Sequence, residues 1–88
     1  MGVKIIWSDK SWADFEYWLD HDKKTAKRIR KLIKNTVRTP FQGIGKPEAL
    51  KGDMSGLWSR RIDETNRFVY FVKPDGLYVV SVRFHYHA

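Results

Sequence analysis

Cysteine is absent from the 88 residues, which excludes a disulfide framework and any thiolate metal site. Long apolar runs are missing as well. Val3–Trp7 is broken by Lys4 and charge resumes at Asp9, well short of the roughly 20 apolar residues that span a bilayer. That opening also lacks the plan of a secretory signal. The expectation is a soluble, cytoplasmic protein with no membrane association. Acidic residues vanish from one region: residues 23–46 hold nine Lys and Arg and no Asp or Glu. No internal repeat and no low-complexity linker divides the chain, so a single domain over residues 1–88 is expected.

A domain of this size buries only about 60–65% of the surface its unfolded chain exposes. Thirteen aromatics, four Trp, five Phe and four Tyr, offset the small core, since each buries about 150–250 Å². The formal net charge is +7, and its distribution says more than the total. Residues 1–22 set two Lys against five carboxylates, and residues 47–88 are nearly balanced, with six basic and five acidic groups. The basic middle block fits a polyanionic partner through release of phosphate counterions. It also fits a helix face kept soluble by charge.

Val3–Trp7 has the β-branched character of a short strand. Ser8 is placed to cap a following helix, with Trp7 and Trp12 spaced as a hydrophobic staple. Trp12, Phe15, Trp18 and Leu19 carry helical spacing, so the first helix is expected from about Asp9 to Asp20. Asp22 is a second N-cap. Ala26, Ile29, Ile33 and Val37 form the apolar stripe of a second helix, with Lys23, Lys27, Arg30, Lys31 and Lys34 largely off it; Pro40 stops it near Arg38. Residues 40–56 are rich in Gly and Pro and read as a long loop. Long loops in small domains are often functional. Three β-rich segments follow, near Leu57–Ile62, Arg67–Val72 and Leu77–Phe84, joined by turns at Asp63–Asn66 and Lys73–Gly76. The expected architecture is α+β, in the order βααβββ, with two antiparallel helices packed on a mainly antiparallel sheet.

The C-terminal half gathers one loop carboxylate (Glu48), Lys51 beside it, strand arginines (Arg60, Arg61, Arg67, Arg83) and His85-Tyr86 at the end of the last strand. RNA is cut without metal or cofactor when its own 2′-hydroxyl attacks the adjacent phosphate. That reaction needs a base, an acid for the leaving 5′-oxygen, and cations for the charge on the transition state. Glu48 suits the base, His85 the acid and Arg67 the charge stabiliser, because a guanidinium meets phosphate oxygens in pairs and stays charged. Cations around such a site oppose protonation of an imidazole, so the acid needs help, for which the substrate phosphate is a candidate. Each residue has an ordinary counterpart: a solvated loop glutamate, a frayed terminal histidine, and strand arginines paired with Asp63 or Glu64. Arg60 and Arg61 project to opposite sides of a strand, so only one easily enters a shared site. Residue chemistry alone supports a basic α+β nucleic-acid protein, with a nuclease as one form of it. His21 reads as a surface residue and the Trp12/Trp18 pair as core or interface.

The order of motifs narrows this. Ile6-Trp7-Ser8, Thr39-Pro40-Phe41, Gly43-Ile44-Gly45-Lys46-Pro47-Glu48, Leu50-Lys51, Ser55-Gly56-Leu57-Trp58-Ser59-Arg60-Arg61-Ile62, Arg67-Phe68-Val69-Tyr70 and the closing His85-Tyr86 resemble the YoeB branch of the RelE/ParE toxin superfamily along nearly the whole chain. The resemblance implies a toxin–antitoxin system toxin with an RNase-like fold. It would bind the ribosomal A site, cleave messenger RNA to a 2′,3′-cyclic phosphate and be held inactive by a cognate antitoxin. Position by position it implies Glu48 as general base, His85 as general acid and Arg67 as phosphate stabiliser. Lys51 and Arg61 would hold the scissile phosphate, and Tyr86 would orient or stack on the substrate. The basic helix, Lys23–Lys34, would then face ribosomal RNA. Operator DNA would be reached only through the antitoxin complex, and a homodimer is compatible with the pattern. Gyrase-directed relatives share the fold but generally lack the glutamate and terminal histidine, so the alternative is a non-catalytic nucleic-acid-binding or gyrase-directed module. Two features depart or constrain. His87-Ala88 extends past the usual His-Tyr end. Arg61 and Arg67 share a side only if the intervening hairpin behaves as a five-residue loop from Ile62 to Asn66.

Overall fold

The computed structural model describes residues 3–84, and His85, Tyr86 and the His87-Ala88 extension lie outside the described residues. Strand β1 (Lys4–Trp7) leads into helix α1 (Asp9–His21) and helix α2 (Lys23–Arg38). The start of α1 follows its sequence signals. The Ser8 hydroxyl accepts from the Ser11 amide at 3.0 Å, the Ser11 hydroxyl accepts from the Ser8 amide at 2.9 Å, and Trp7 meets Trp12 edge-on at 5.4 Å. This is a capping box with serine in place of the usual glutamate, closed by a staple. Asp22 alone separates the helices: its amide donates to the Trp18 carbonyl, and its carboxylate accepts from the Thr25 amide and hydroxyl.

The loop that follows is less irregular than expected. It contains a two-residue strand, β2 (Glu48–Ala49), and one 3₁₀ turn at Gly52–Met54. Strands β3 (Trp58–Arg61), β4 (Arg67–Lys73) and β5 (Gly76–Ser81) complete a five-stranded sheet of order β1-β5-β4-β3-β2. The last strand thus stops three residues before the expected Phe84. The sheet is mixed: β1 lies parallel to β5 and every other neighbour is antiparallel. Gly76 is required where β1 enters, since a Cβ there would lie 2.5 Å from the Lys4 carbonyl oxygen.

The helices cover one side of the sheet. Phe15, Trp18, Ala26, Ile29, Leu32 and Ile33 pack against Phe68, Tyr70, Leu77 and Val79, and the Trp18 indole donates to the Val82 carbonyl at 2.8 Å. The basic residues of α2 stay outside this core, with Lys24, Lys27, Arg30, Lys31 and Lys34 exposed. Trp12 remains 44% exposed. His21 is a surface residue whose ring Nδ1 lies 2.8 Å from the Tyr17 carbonyl oxygen.

Candidate active site

Cross-strand register decides which charged side chains share a side of the sheet. Glu48 pairs with Ser59 and Ser59 with Val69, while two positions along Arg61 pairs directly with Arg67. Strand side chains alternate, so Glu48, Arg61 and Arg67 project to the side away from the helices, whereas Arg60, Phe68 and Tyr70 project toward them. The condition on the hairpin is met: five residues, 62–66, separate the paired arginines. Asp63 fixes this turn by accepting from the Thr65 amide at 2.8 Å, the Asn66 amide at 2.6 Å and the Asn66 side chain. Burial works to raise the Asp63 carboxyl, but these donors outweigh it and hold the group below its ordinary value.

Glu48 and Arg67 approach each other, with Oε1 4.0 Å from Nη1. That is an ion pair too long to be a hydrogen bond. The Glu48 side chain is 65% exposed and that of Arg67 only 17%. Arg67 Nε is buried and has no hydrogen-bond partner among the described residues. Two like charges directly opposite across a ladder are unfavourable by themselves. A poorly satisfied buried guanidinium facing a second one is therefore a local cost that an anion would relieve. Lys51 stands at the N-cap of the 3₁₀ turn, exposed, and its side chain makes no hydrogen bond or ion pair among the described residues. The structure thus brings Glu48, Arg61 and Arg67 together and leaves Lys51 at the margin. Among the described residues, no three carboxylate or imidazole side chains gather closely enough to hold a metal ion.

Phe84 is also tied to this site. The Phe84 carbonyl accepts from the Arg67 amide at 3.1 Å and the Phe84 amide donates to Asn66 Oδ1 at 2.7 Å. Phe84 adopts φ +71°, so the chain bends sharply just before His85.

Arg60 has the opposite fate. The expectation that Asp63 or Glu64 pairs with the strand arginines fails for it: Arg60 is completely buried and meets no carboxylate among the described residues. Its five donors instead reach five neutral acceptors. Nε reaches the Tyr70 hydroxyl, Nη1 reaches Asn35 Oδ1 and the Ile44 carbonyl, and Nη2 reaches the Thr39 and Gln42 carbonyls, at 2.6–3.2 Å. Thr39 caps the C-terminal end of α2, whose partial negative charge favours the cation there. Tyr70 in turn donates to the Pro40 carbonyl at 2.6 Å; burial pushes its phenol up while Arg60 pulls against that shift. Together they fasten the loop that delivers Glu48. Gly45 is part of the same seat, at φ +80°, with its carbonyl accepting from the Arg61 amide at 2.7 Å. Sequence reasoning showed that Arg60 and Arg61 diverge, but not that Arg60 and Asn35 form the anchor.

Arg28 of α2 donates to the Arg61 carbonyl at 3.3 Å, joining the basic helix to the site strand. A groove of about 470 Å³ along α2 is lined by Lys24, Lys27, Arg28, Arg30, Lys31 and Lys34.

Residues 7–86 match the model of the YoeB-like toxin of bacterial type II toxin–antitoxin systems. Toxin YoeB of Escherichia coli strain K12 is 54% identical over 84 residues, covering 96% of this chain and all of that protein. Toxin YoeB of Synechocystis is 49% identical over the same length, covering 96% of this chain and 98% of that protein. Among solved structures, the YoeB/ParE toxin from Agrobacterium tumefaciens superposes with a TM-score of 0.92 at 49% identity, covering 96% of this chain and all of that one. YoeB in a heterotetrameric YoeB–YefM toxin–antitoxin complex from Staphylococcus aureus gives 0.89 at 37% identity, covering 98% of this chain and all of that one.

Proposed function

The chain belongs to the YoeB-like toxin family of bacterial type II toxin–antitoxin systems, and on that basis we propose that it is an endoribonuclease cleaving messenger RNA in the ribosomal A site. The observation that carries this reading is the Arg61–Arg67 cross-strand pair with the Glu48 carboxylate 4.0 Å from Arg67. Two cations and one base on a single side of the sheet suit a phosphodiester. Glu48 takes the proton of the 2′-hydroxyl, whose oxygen attacks phosphorus. The bond to the 5′-oxygen breaks, and His85 supplies the proton that this oxygen takes up. The products are a 2′,3′-cyclic phosphate and a 5′-hydroxyl, and solvent exchange restores the protons on both side chains. Arg67 and Arg61 stabilise the charge that grows on the phosphate, with a guanidinium fork matched to paired oxygens. Lys51 holds the phosphate from the rim and Tyr86 orients the substrate. His85 is assigned the acid by the family resemblance, since it lies outside the described residues.

The ribosome enters as the agent of positioning. Holding the 2′-oxygen, phosphorus and leaving oxygen in line removes several kcal/mol from such a barrier, and the α2 cations supply contacts to ribosomal RNA. A YoeB–YefM complex and a YoeB dimer are known from Staphylococcus aureus. Correspondingly, we assign this chain an antitoxin partner and the capacity to form a homodimer, with exposed Trp12 and Leu19 as apolar contact surface. The test is to map cut sites on messenger RNA bound to translating ribosomes, wild type against Glu48→Ala. Cuts in the A-site codon ending in 2′,3′-cyclic phosphate, lost in the variant, are expected. Growth arrest without any such ends would overturn the reading in favour of a non-catalytic or gyrase-directed toxin.

A further inference from the structure

Phe84 combines two features that each cost stability. It is 55% exposed, and its backbone sits at φ +71°, a conformation rare for a bulky residue. It is nevertheless fixed from both sides, by Asn66 Oδ1 at its amide and the Arg67 amide at its carbonyl. Strain held in place by hydrogen bonds concentrates where a protein uses the resulting geometry.

The ring also ends an ordered column. The Arg83 guanidinium lies over the Phe84 ring at 4.5 Å and over the Tyr17 ring at 3.5 Å. Tyr17 in turn stacks on His21 at 4.3 Å with 18° between the planes. The layers run His21, Tyr17, Arg83, Phe84, anchored on α1. Arg83 occupies one face of the Phe84 ring, and the ring's exposure leaves room for another flat group at the open end of the column. The Phe84 carbonyl accepts from the Arg67 amide, so the backbone that carries the ring is joined to that of the strand residue whose guanidinium approaches Glu48.

We propose that Phe84 is a stacking platform for a single nucleobase adjoining the scissile phosphate. This inference rests on the endoribonuclease reading for the neighbouring phosphate site. Planar side chains backed by arginine are the usual receivers of splayed RNA bases, and the backing guanidinium strengthens the stack by its charge. The hydrogen-bonded backbone holds the exposed ring in one position relative to the Arg67 strand, a fixed register that a flexible aromatic would not give.

The test uses the whole protein on ribosomes programmed with a messenger RNA that carries 2-aminopurine next to the cleavage point. A 2′-O-methyl group at that point blocks attack. Wild type and Phe84→Tyr are expected to quench the stacking-sensitive fluorescence and Phe84→Leu is not. On cleavable RNA, Phe84→Leu should raise the half-saturating concentration roughly 5- to 150-fold, the range lost with one base–aromatic stack, with Phe84→Trp restoring it. Phe84→Gly separates stacking from folding: glycine accepts φ +71° freely, so its melting temperature should equal or exceed that of wild type while substrate affinity falls. Equal quenching and equal half-saturation for wild type and Phe84→Leu would overturn the proposal. So would a Phe84→Leu variant that loses only antitoxin affinity or only stability. Quenching without any cleavage by wild type would instead sink the nuclease reading and leave the platform standing.

Discussion

Arg60 and Arg61 are neighbours in sequence and opposites in circumstance. Arg60 lies on the helix-facing side of the sheet, fully buried, with five donors matched to five acceptors. Arg61 lies on the other side, exposed and facing Arg67, whose buried Nε has no partner among the described residues. The same side chain, one position apart, is consumed by the fold in one case and left open to solvent in the other. The two sides of the sheet thus divide labour. The helix side spends its polar groups on fixing the loop, and the outer side sets two cations opposite each other with one long contact to Glu48.

The largest effect that would sharpen this contrast is at Glu48. Its side chain is mostly exposed and makes one long ion pair, so Glu48→Gln should leave the melting temperature unchanged. If it is the base, single-turnover cleavage on ribosomes should fall by about 10²- to 10⁴-fold. A variant that unfolds together with its loss of activity would break the contrast.

Arg60 should show the reverse pattern. Arg60→Ala removes the buried donors that hold five acceptors and empties a core position, at a cost of about 3–5 kcal/mol, read from urea midpoints. Arg61→Ala should shift stability by about 0.5 kcal/mol or less, and relief of like-charge repulsion pushes that shift toward stabilisation. Equal losses for the two arginines would show that the sides of the sheet do not differ. Arg67→Lys follows at about 10²- to 10³-fold in cleavage, because the charge stays while the paired contact of the fork is lost.

What the sequence disclosed and what it hid divide along physical lines. Local signals were legible: Ser8 with the Trp7/Trp12 staple, Asp22 as the second N-cap, and a turn at Asp63–Asn66, although not the register across it. Each depends on residues within a few positions of one another. The parallel pairing of β1 with β5 was not legible, because it joins residue 4 to residue 76 and leaves no local pattern. Strand β2 escaped because two residues carry no periodicity; only its pairing with Trp58 and Ser59 makes it a strand. Alternation announced that Arg60 and Arg61 diverge, yet which turns inward depends on carbonyls at Thr39, Gln42 and Ile44. Those acceptors exist only once the loop has folded. Of the candidate site, Glu48, Arg61 and Arg67 share one side of the sheet, Lys51 is exposed at the 3₁₀ turn, and His85 and Tyr86 lie outside the described residues.

The smallest effect concerns the turn that links the two sides. Asp63 fixes residues 62–66, and the same Asn66 that it anchors holds the Phe84 amide. Its carboxyl is depressed in the folded protein, so the stability it contributes is fully present above the ordinary carboxylate value. That contribution is lost as pH falls through the lowered one. Asp63→Asn keeps an acceptor oxygen for the Thr65 and Asn66 amides but loses the charge, so at neutral pH it should cost about 1 kcal/mol or less. Urea midpoints of wild type and variant should converge as pH drops below about 4, since protonated Asp63 is then no better an acceptor than Asn. Parallel profiles through that range would show that the turn is held by backbone geometry alone. In that case the Arg61–Arg67 register would owe nothing to the carboxylate.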